Sequence, residues 1–339
     1  MRYIVFTGCS YGQQARAFHD LQNLGYCKDV KFYNLQGSSL GSKYQLMSAI
    51  NAVEKLINNG VSVDDIYVVC QWSSMFRVTT MYDIDFFENF SFFTLDFDMN
   101  TWRTKNNDTL YSVGFDKFGF VNVANQYNTI QSCSNKNLRN FLLDNLSHSS
   151  PSERAAQYHF DIINLQNYLK VKNIKYSFLF FNSALTGFNF DRTDSFLNGL
   201  EMVDVEKIKG VEKIIEDKNE RFILPKIWRE SIIYNKNKWA SFKNLIDWGN
   251  FILYNNDRIE FGGIDEFALE NIGTIGYLSY NVKPVSFGDH LNQYGDFRYI
   301  IDSGLFEKVN KEFINDKTIN VSEFKNIKKE KYEKLCQQK

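Results

Sequence analysis

A serine and a histidine sit near opposite ends of this chain, each in a short segment that could present it for chemistry. Tyr3-Ile4-Val5-Phe6-Thr7-Gly8-Cys9-Ser10-Tyr11-Gly12 is an apolar run that stops at a glycine, with Ser10 two residues on. Gly288-Asp289-His290-Leu291-Asn292-Gln293-Tyr294-Gly295 carries one of only four histidines. A hydroxyl nucleophile and an imidazole to take its proton are the two parts that acyl transfer needs most. Taken singly, the first segment also reads as a plain turn and His290 as a surface helix cap. The pair together points to chemistry.

Placing those groups requires a parallel sheet whose strands end at one edge. Residues 2–8 predict a buried strand, and 13–24 a helix with Ala15, Phe18 and Leu21 or Leu24 on one face. A second strand is expected over 30–35, closed by the small-residue loop Gln36-Gly37-Ser38-Ser39-Leu40-Gly41-Ser42. A helix over 43–58 follows, with Leu46, Ile50, Val53 and Ile57 at helical spacing and Gly60 as its stop. The third strand, 65–70, ends at Gln71-Trp72-Ser73-Ser74. Right-handed crossovers between parallel strands put all three loops on the carboxyl edge. There, Gly37 offers a backbone N–H that no side chain shields, and Gln71 and Ser73 offer polar side chains. Arg77, just beyond, suits a substrate carboxylate or phosphate, or equally a surface ion pair.

Further along, a helix is expected over 152–172, then a nearly all-apolar strand over 176–182. Another helix should run from about 293 to 313. Between these lie 75–150, rich in Phe, read either as a lid or as a packed aromatic subdomain, and 191–270, rich in Trp. The expected division is a core of 1–74, 151–190 and 271–315, insertions at 75–150 and 191–270, and a Lys-rich tail over 316–339 whose charge reads as a solvated face.

Bulk properties remove several classes. The 339 residues carry a net charge of −1, which gives no general drive toward nucleic acid or an anionic membrane. Five cysteines without a C-x-x-C pair suggest neither a disulfide framework nor zinc, and no His/Asp group has metal-ligand spacing. Neither a metal nor a cofactor is expected. No apolar stretch reaches 18 residues, and the first strand starts at once, so a cytoplasmic protein with neither signal peptide nor membrane span is expected. His19, His148 and His159 read as solvated, capping or packing residues. Cys9 reads as a small buried side chain pointing away from Ser10.

In its Gly8-Cys9-Ser10, Gly37 and His290-Leu291-Asn292-Gln293-Tyr294-Gly295 blocks the chain resembles the SGNH hydrolases, the GDSL-like lipases and esterases. The spacing of the first three blocks is similar to a divergent branch met in phage and large-virus genomes. The resemblance covers roughly 2–74, 152–182 and 285–312. It implies a three-layer α/β/α fold with a flavodoxin-like parallel sheet. It also implies an ester hydrolase, on a small molecule or a glycan O-acyl group, working through an acyl-Ser10 intermediate with His290 as base. The pattern departs at three points. Cys9 replaces the family's Asp. Ser73, between Gln71 and Ser74, stands where the third-block Asn falls. Three residues before the His, where the family has its acid, this chain has Phe287, leaving Asp289 beside His290. Losing one oxyanion donor costs about 3 kcal/mol of barrier, so Ser73 or Gln71 has to replace it. An inactive carbohydrate-binding or virion-associated module is the alternative, and an acyltransferase a third.

Overall fold

The computed structural model describes residues 1–9, 14–37, 41–73, 78–83, 111–115, 118–123, 140, 151–180, 244–254, 263–264, 267, 277–278, 290–291 and 293–337. The first half of the chain forms β1 (Arg2–Cys9), α1 (Gln14–Asn23), β2 (Val30–Gly37), α2 (Ser42–Asn58) and β3 (Ile66–Trp72). Next come β4 (Val78–Asp83), β5 (Tyr111–Phe115), β6 (Phe118–Val123), α3 (Pro151–Val171) and β7 (Lys175–Phe180). The last part holds β8 (Tyr277–Leu278), β9 (His290–Leu291), α4 (Gln293–Asp302), α5 (Leu305–Val309), α6 (Val321–Lys325) and α7 (Lys329–Gln337).

Four strands make a parallel sheet in the order β2-β1-β3-β7, so the chain has an α/β fold. A parallel sheet covered by crossover helices buries both faces of its strands, which is why they read as apolar runs. All seven residues of β3 are buried. Strand alternation sends Ile4, Phe6, Tyr67 and Val69 into one core cluster with Phe18, Phe297 and Phe306 from α1, α4 and α5. Val5, Val68, Cys70 and Trp72 join the other, with Leu46 and Val53 of α2 and Ile162 and Leu169 of α3. Each large side chain so buried contributes about 1.5–3 kcal/mol.

Local signals set the helix ends. After α2, Gly60 adopts φ +82° and its N–H bonds the Ile57 carbonyl, while Val61 N–H reaches Leu56, the closure a left-handed glycine permits. The single helix expected over 293–313 is instead three pieces. Gly304, at φ +79°, separates α4 from α5, and a π-helical turn, Asn310–Ile314, follows. Phe160, which the helical spacing placed on the core side of α3, is exposed, and Tyr158, His159 and Asp161 are buried instead.

Within 75–150, β4, β6 and β5 form an antiparallel sheet of their own, in that order. Within 191–270, Phe251 bridges Phe178 in parallel and Ile252 N–H donates to the Phe178 carbonyl at 2.8 Å, lengthening the sheet edge beyond β7. Ile246, Phe251, Ile252 and Leu253 are buried there with the core. At the C-terminus, Phe324, Ile327 and Tyr332 enter the α1-side cluster, while Lys325, Lys328, Lys331 and Lys334 stay exposed.

Candidate functional site

The strand order carries the first clue. From β1 the chain moves to β2 on one side, then crosses back to β3 on the other. This places the topological switch point between β1 and β3, and such sheets bind ligands outside the carboxyl ends of the strands at that point. The backbone reaches this edge in register: Cys9 pairs with Gly37, the last residue of β2, and Trp72 with Phe180. Ser10 follows Cys9 directly in the chain, and Ser73 follows Trp72.

At the switch point the two strands part. Their ladder ends at Thr7 and Cys70. Beyond it, Cys9 N–H donates to Oε1 of Gln71 at 3.0 Å, so a side chain takes the place of the missing strand partner. The Cys9 thiol lies 3.4 Å from both Oε1 and Nε2 of the same amide. Gly8 is required by this arrangement. A Cβ there would stand 2.9 Å from both Cβ and Oε1 of Gln71. Gln71 and Trp72 were expected in the third loop and are instead the last two residues of β3, both fully buried. Trp72 packs edge-on against Phe178 and Tyr158, with ring centroids 5.5 and 6.2 Å away.

Ser73 is buried as well. Its N–H donates to Gln45 Oε1 at 3.3 Å, and among the described residues its Oγ has no hydrogen-bond partner. The same holds for Trp72 Nε1 and the Tyr158 hydroxyl. Gln45 belongs to a polar stripe on α2, Ser42, Gln45 and Ser48, that faces inward. Ser48 Oγ lies 2.8 Å from Thr7 Oγ1 on β1. Ser42 Oγ donates to Asp161 Oδ2 of α3 at 2.7 Å, and Gln157 Nε2 to Oδ1 at 2.7 Å. Burial raises the Asp161 carboxyl above its usual range, against these hydrogen bonds and nearby Lys43, which lower it. Apolar spacing could not reveal this group. Its signal is the spacing of three between Ser42, Gln45 and Ser48.

His290 opens the two-residue strand β9 and pairs opposite Leu278 of β8. Helix α4, which follows, packs on α1, the helix that follows Ser10 in the chain. Gln293 Nε2 donates to both carboxylate oxygens of Asp20 at 2.9 Å, and Arg16 meets Asp296 at 2.5 Å. Of the residues expected to form the site, the structure therefore places Gly37, Gln71 and Ser73 at one sheet edge. Ser10, Asp289 and Arg77 lie outside the described residues, as does the side chain of His290.

Cys9, Cys27 and Cys70 are buried free thiols. Burial pushes the Cys27 thiol up to about 12, with Asp316 adding to the shift. His19 is exposed on α1, its Nδ1 3.0 Å from Asn23 Nδ2. His159 is buried beside Tyr158. Among the described residues there is no group of three His, Cys, Asp or Glu able to hold a metal ion, and no helix long and apolar enough to cross a membrane.

Comparison with protein-family models, with characterised proteins and with solved structures finds no match.

Proposed function

We propose that this chain is a serine ester hydrolase of SGNH type, built as a three-layer α/β/α domain with a flavodoxin-like strand order and two insertions. The observation that carries the reading is the switch point between β1 and β3, with β1 ending at the residue before Ser10. Ser10 Oγ attacks the ester carbonyl while His290 takes its proton. As the tetrahedral intermediate collapses, His290 returns that proton to the leaving alcohol. Water then attacks the acyl-Ser10 ester, again with His290 as base, and releases the acid. Asp289 orients the imidazole. The backbone N–H groups of Ser10 and Gly37, with Ser73, hold the oxyanion. Ser73 is the better third donor, because the Gln71 amide is already engaged by Cys9. Arg77 takes an anionic group of the substrate. The substrate is a small-molecule ester or an O-acyl group on a glycan.

Hydrolysis of p-nitrophenyl acetate and of an O-acetylated sugar tests the reading. The wild-type protein should turn over at least one of them, and Ser10→Ala and His290→Ala should each lose at least about 10³-fold. Turnover that survives both substitutions contradicts it. The engaged Gln71 amide also favours a second reading, a binding module with an incomplete oxyanion site. That module would be stabilised thermally by glycans while hydrolysing no ester.

A further inference from the structure

We propose that Gln71 is a positioning residue for the nucleophile, acting through the strand end that leads into Ser10. This rests on the serine hydrolase reading and gives Gln71 a different part from that of an oxyanion donor. Three observations converge on it. The β1–β3 ladder stops at Thr7 and Cys70, leaving the next inward-facing N–H of β1, that of Cys9, to Gln71 Oε1 at 3.0 Å. Both polar atoms of the amide lie against the Cys9 thiol at 3.4 Å. The side chain also fills the space where a Cβ at Gly8 would stand. Gly8 and Cys9 are thus gripped by one fully buried side chain. A buried amide with its hydrogen bond made has one orientation, so the last two residues before Ser10 are held in one as well. Small misplacements of a nucleophile are costly, about a hundredfold in rate for an ångström.

Gln71→Met keeps the length and removes the acceptor, while Gln71→Glu keeps an oxygen in the same place. The measurements are amide exchange at Cys9 and the rate of Ser10 labelling by a fluorophosphonate, each read against melting temperature. Gln71→Met should speed exchange at Cys9 and slow labelling by about 10- to 100-fold. The KM for an ester should stay within about twofold, because the substrate contacts are untouched. Gln71→Glu should recover much of both losses. Labelling of Gln71→Met at the wild-type rate overturns the positioning role, as does unchanged exchange at Cys9. If Gln71→Met does not fold, labelling of folded Gln71→Glu that slows relative to wild type as pH rises supports the role, since a buried ionised carboxylate has lost the N–H donor and the neutrality of the amide. PH-independent labelling of that variant, relative to wild type, overturns it. A wild-type protein that takes no label overturns the hydrolase reading instead, and exchange at Cys9 then still decides whether Gln71 holds the strand end.

Discussion

Arg16 of α1 and Asp296 of α4 form an ion pair, guanidinium to carboxylate at 2.5 Å, with the Asp296 side chain almost wholly buried. Arg16 lies six residues after Ser10, and Asp296 six after His290. The pair therefore couples the helices that follow the proposed nucleophile and the proposed base. Removing one partner leaves a buried charge with less compensation, at about 3–5 kcal/mol for a fully buried pair. Arg16 is a third exposed, so solvent screening brings the expected loss for Arg16→Met to about 2 kcal/mol. The double variant Arg16→Met/Asp296→Leu should recover at least about 1 kcal/mol in urea unfolding, and additivity of the two single losses would contradict the coupling.

Asp161 predicts a pH dependence. Its carboxyl is raised in the folded protein, chiefly by burial, so the folded state keeps a proton that the unfolded chain has released. Where the folded state binds more protons, stability falls with rising pH. Asp161 therefore costs nothing below the ordinary carboxylate range. The cost grows as pH climbs through that range to the raised value, and stays constant above it. Asp302, raised by burial against Arg298, acts with the same sign. Asp247 and Glu54, lowered first by hydrogen bonds from Lys170 and Lys172, act with the opposite sign. The difference between wild type and Asp161→Asn isolates one group. Measured by urea unfolding from about pH 4 upward, it should move in favour of the Asn variant as pH rises. A pH-independent difference would contradict the assignment.

The C-terminal helices are part of the core. Tyr332 donates its hydroxyl to Asp20 at 2.5 Å, and Gln293 donates to the same carboxylate, so α1, α4 and α7 meet there. Tyr332→Phe should cost about 1.5–3 kcal/mol, the range for a hydrogen bond to a charged group. A chain ending at Asn320 loses Phe324, Ile327 and Tyr332 from the core, at about 1.5–3 kcal/mol each. It should unfold at markedly lower urea than the full chain. An unchanged midpoint would show these helices to be dispensable.

Strands β1, β2, β3 and β7 are legible in the sequence to within a residue or two, because burial on both faces leaves apolar runs that polar residues terminate. The expected strand over 65–70 stops at the polar Gln71. In the structure β3 continues through Trp72, because Gln71 finds its hydrogen bond across the sheet at Cys9. No local pattern encodes that long-range partner. The break at Gly304 was equally hidden, since the apolar spacing continues on both sides of it. The tail over 316–339 reads as a charged, solvated face, and Lys325, Lys328, Lys331 and Lys334 are exposed there. What its charge conceals is that three well-spaced apolar side chains, Phe324, Ile327 and Tyr332, anchor it to the core. At the candidate site, Gly37, Gln71 and Ser73 were legible as residues of the loops that close the parallel strands, whereas Gly37 and Gln71 are the last and next-to-last residues of β2 and β3 themselves. Asp161 and the α2 stripe were not, because a buried polar cluster has no hydrophobic period to announce it.

Intact mass after exposure to a fluorophosphonate, with Ser10→Ala and His290→Ala beside the wild type, tests the proposed chemistry most directly. The serine hydrolase reading predicts a single label on the wild-type chain that disappears from both variants. A folded wild-type chain that takes no label, or a label that survives Ser10→Ala, would contradict it.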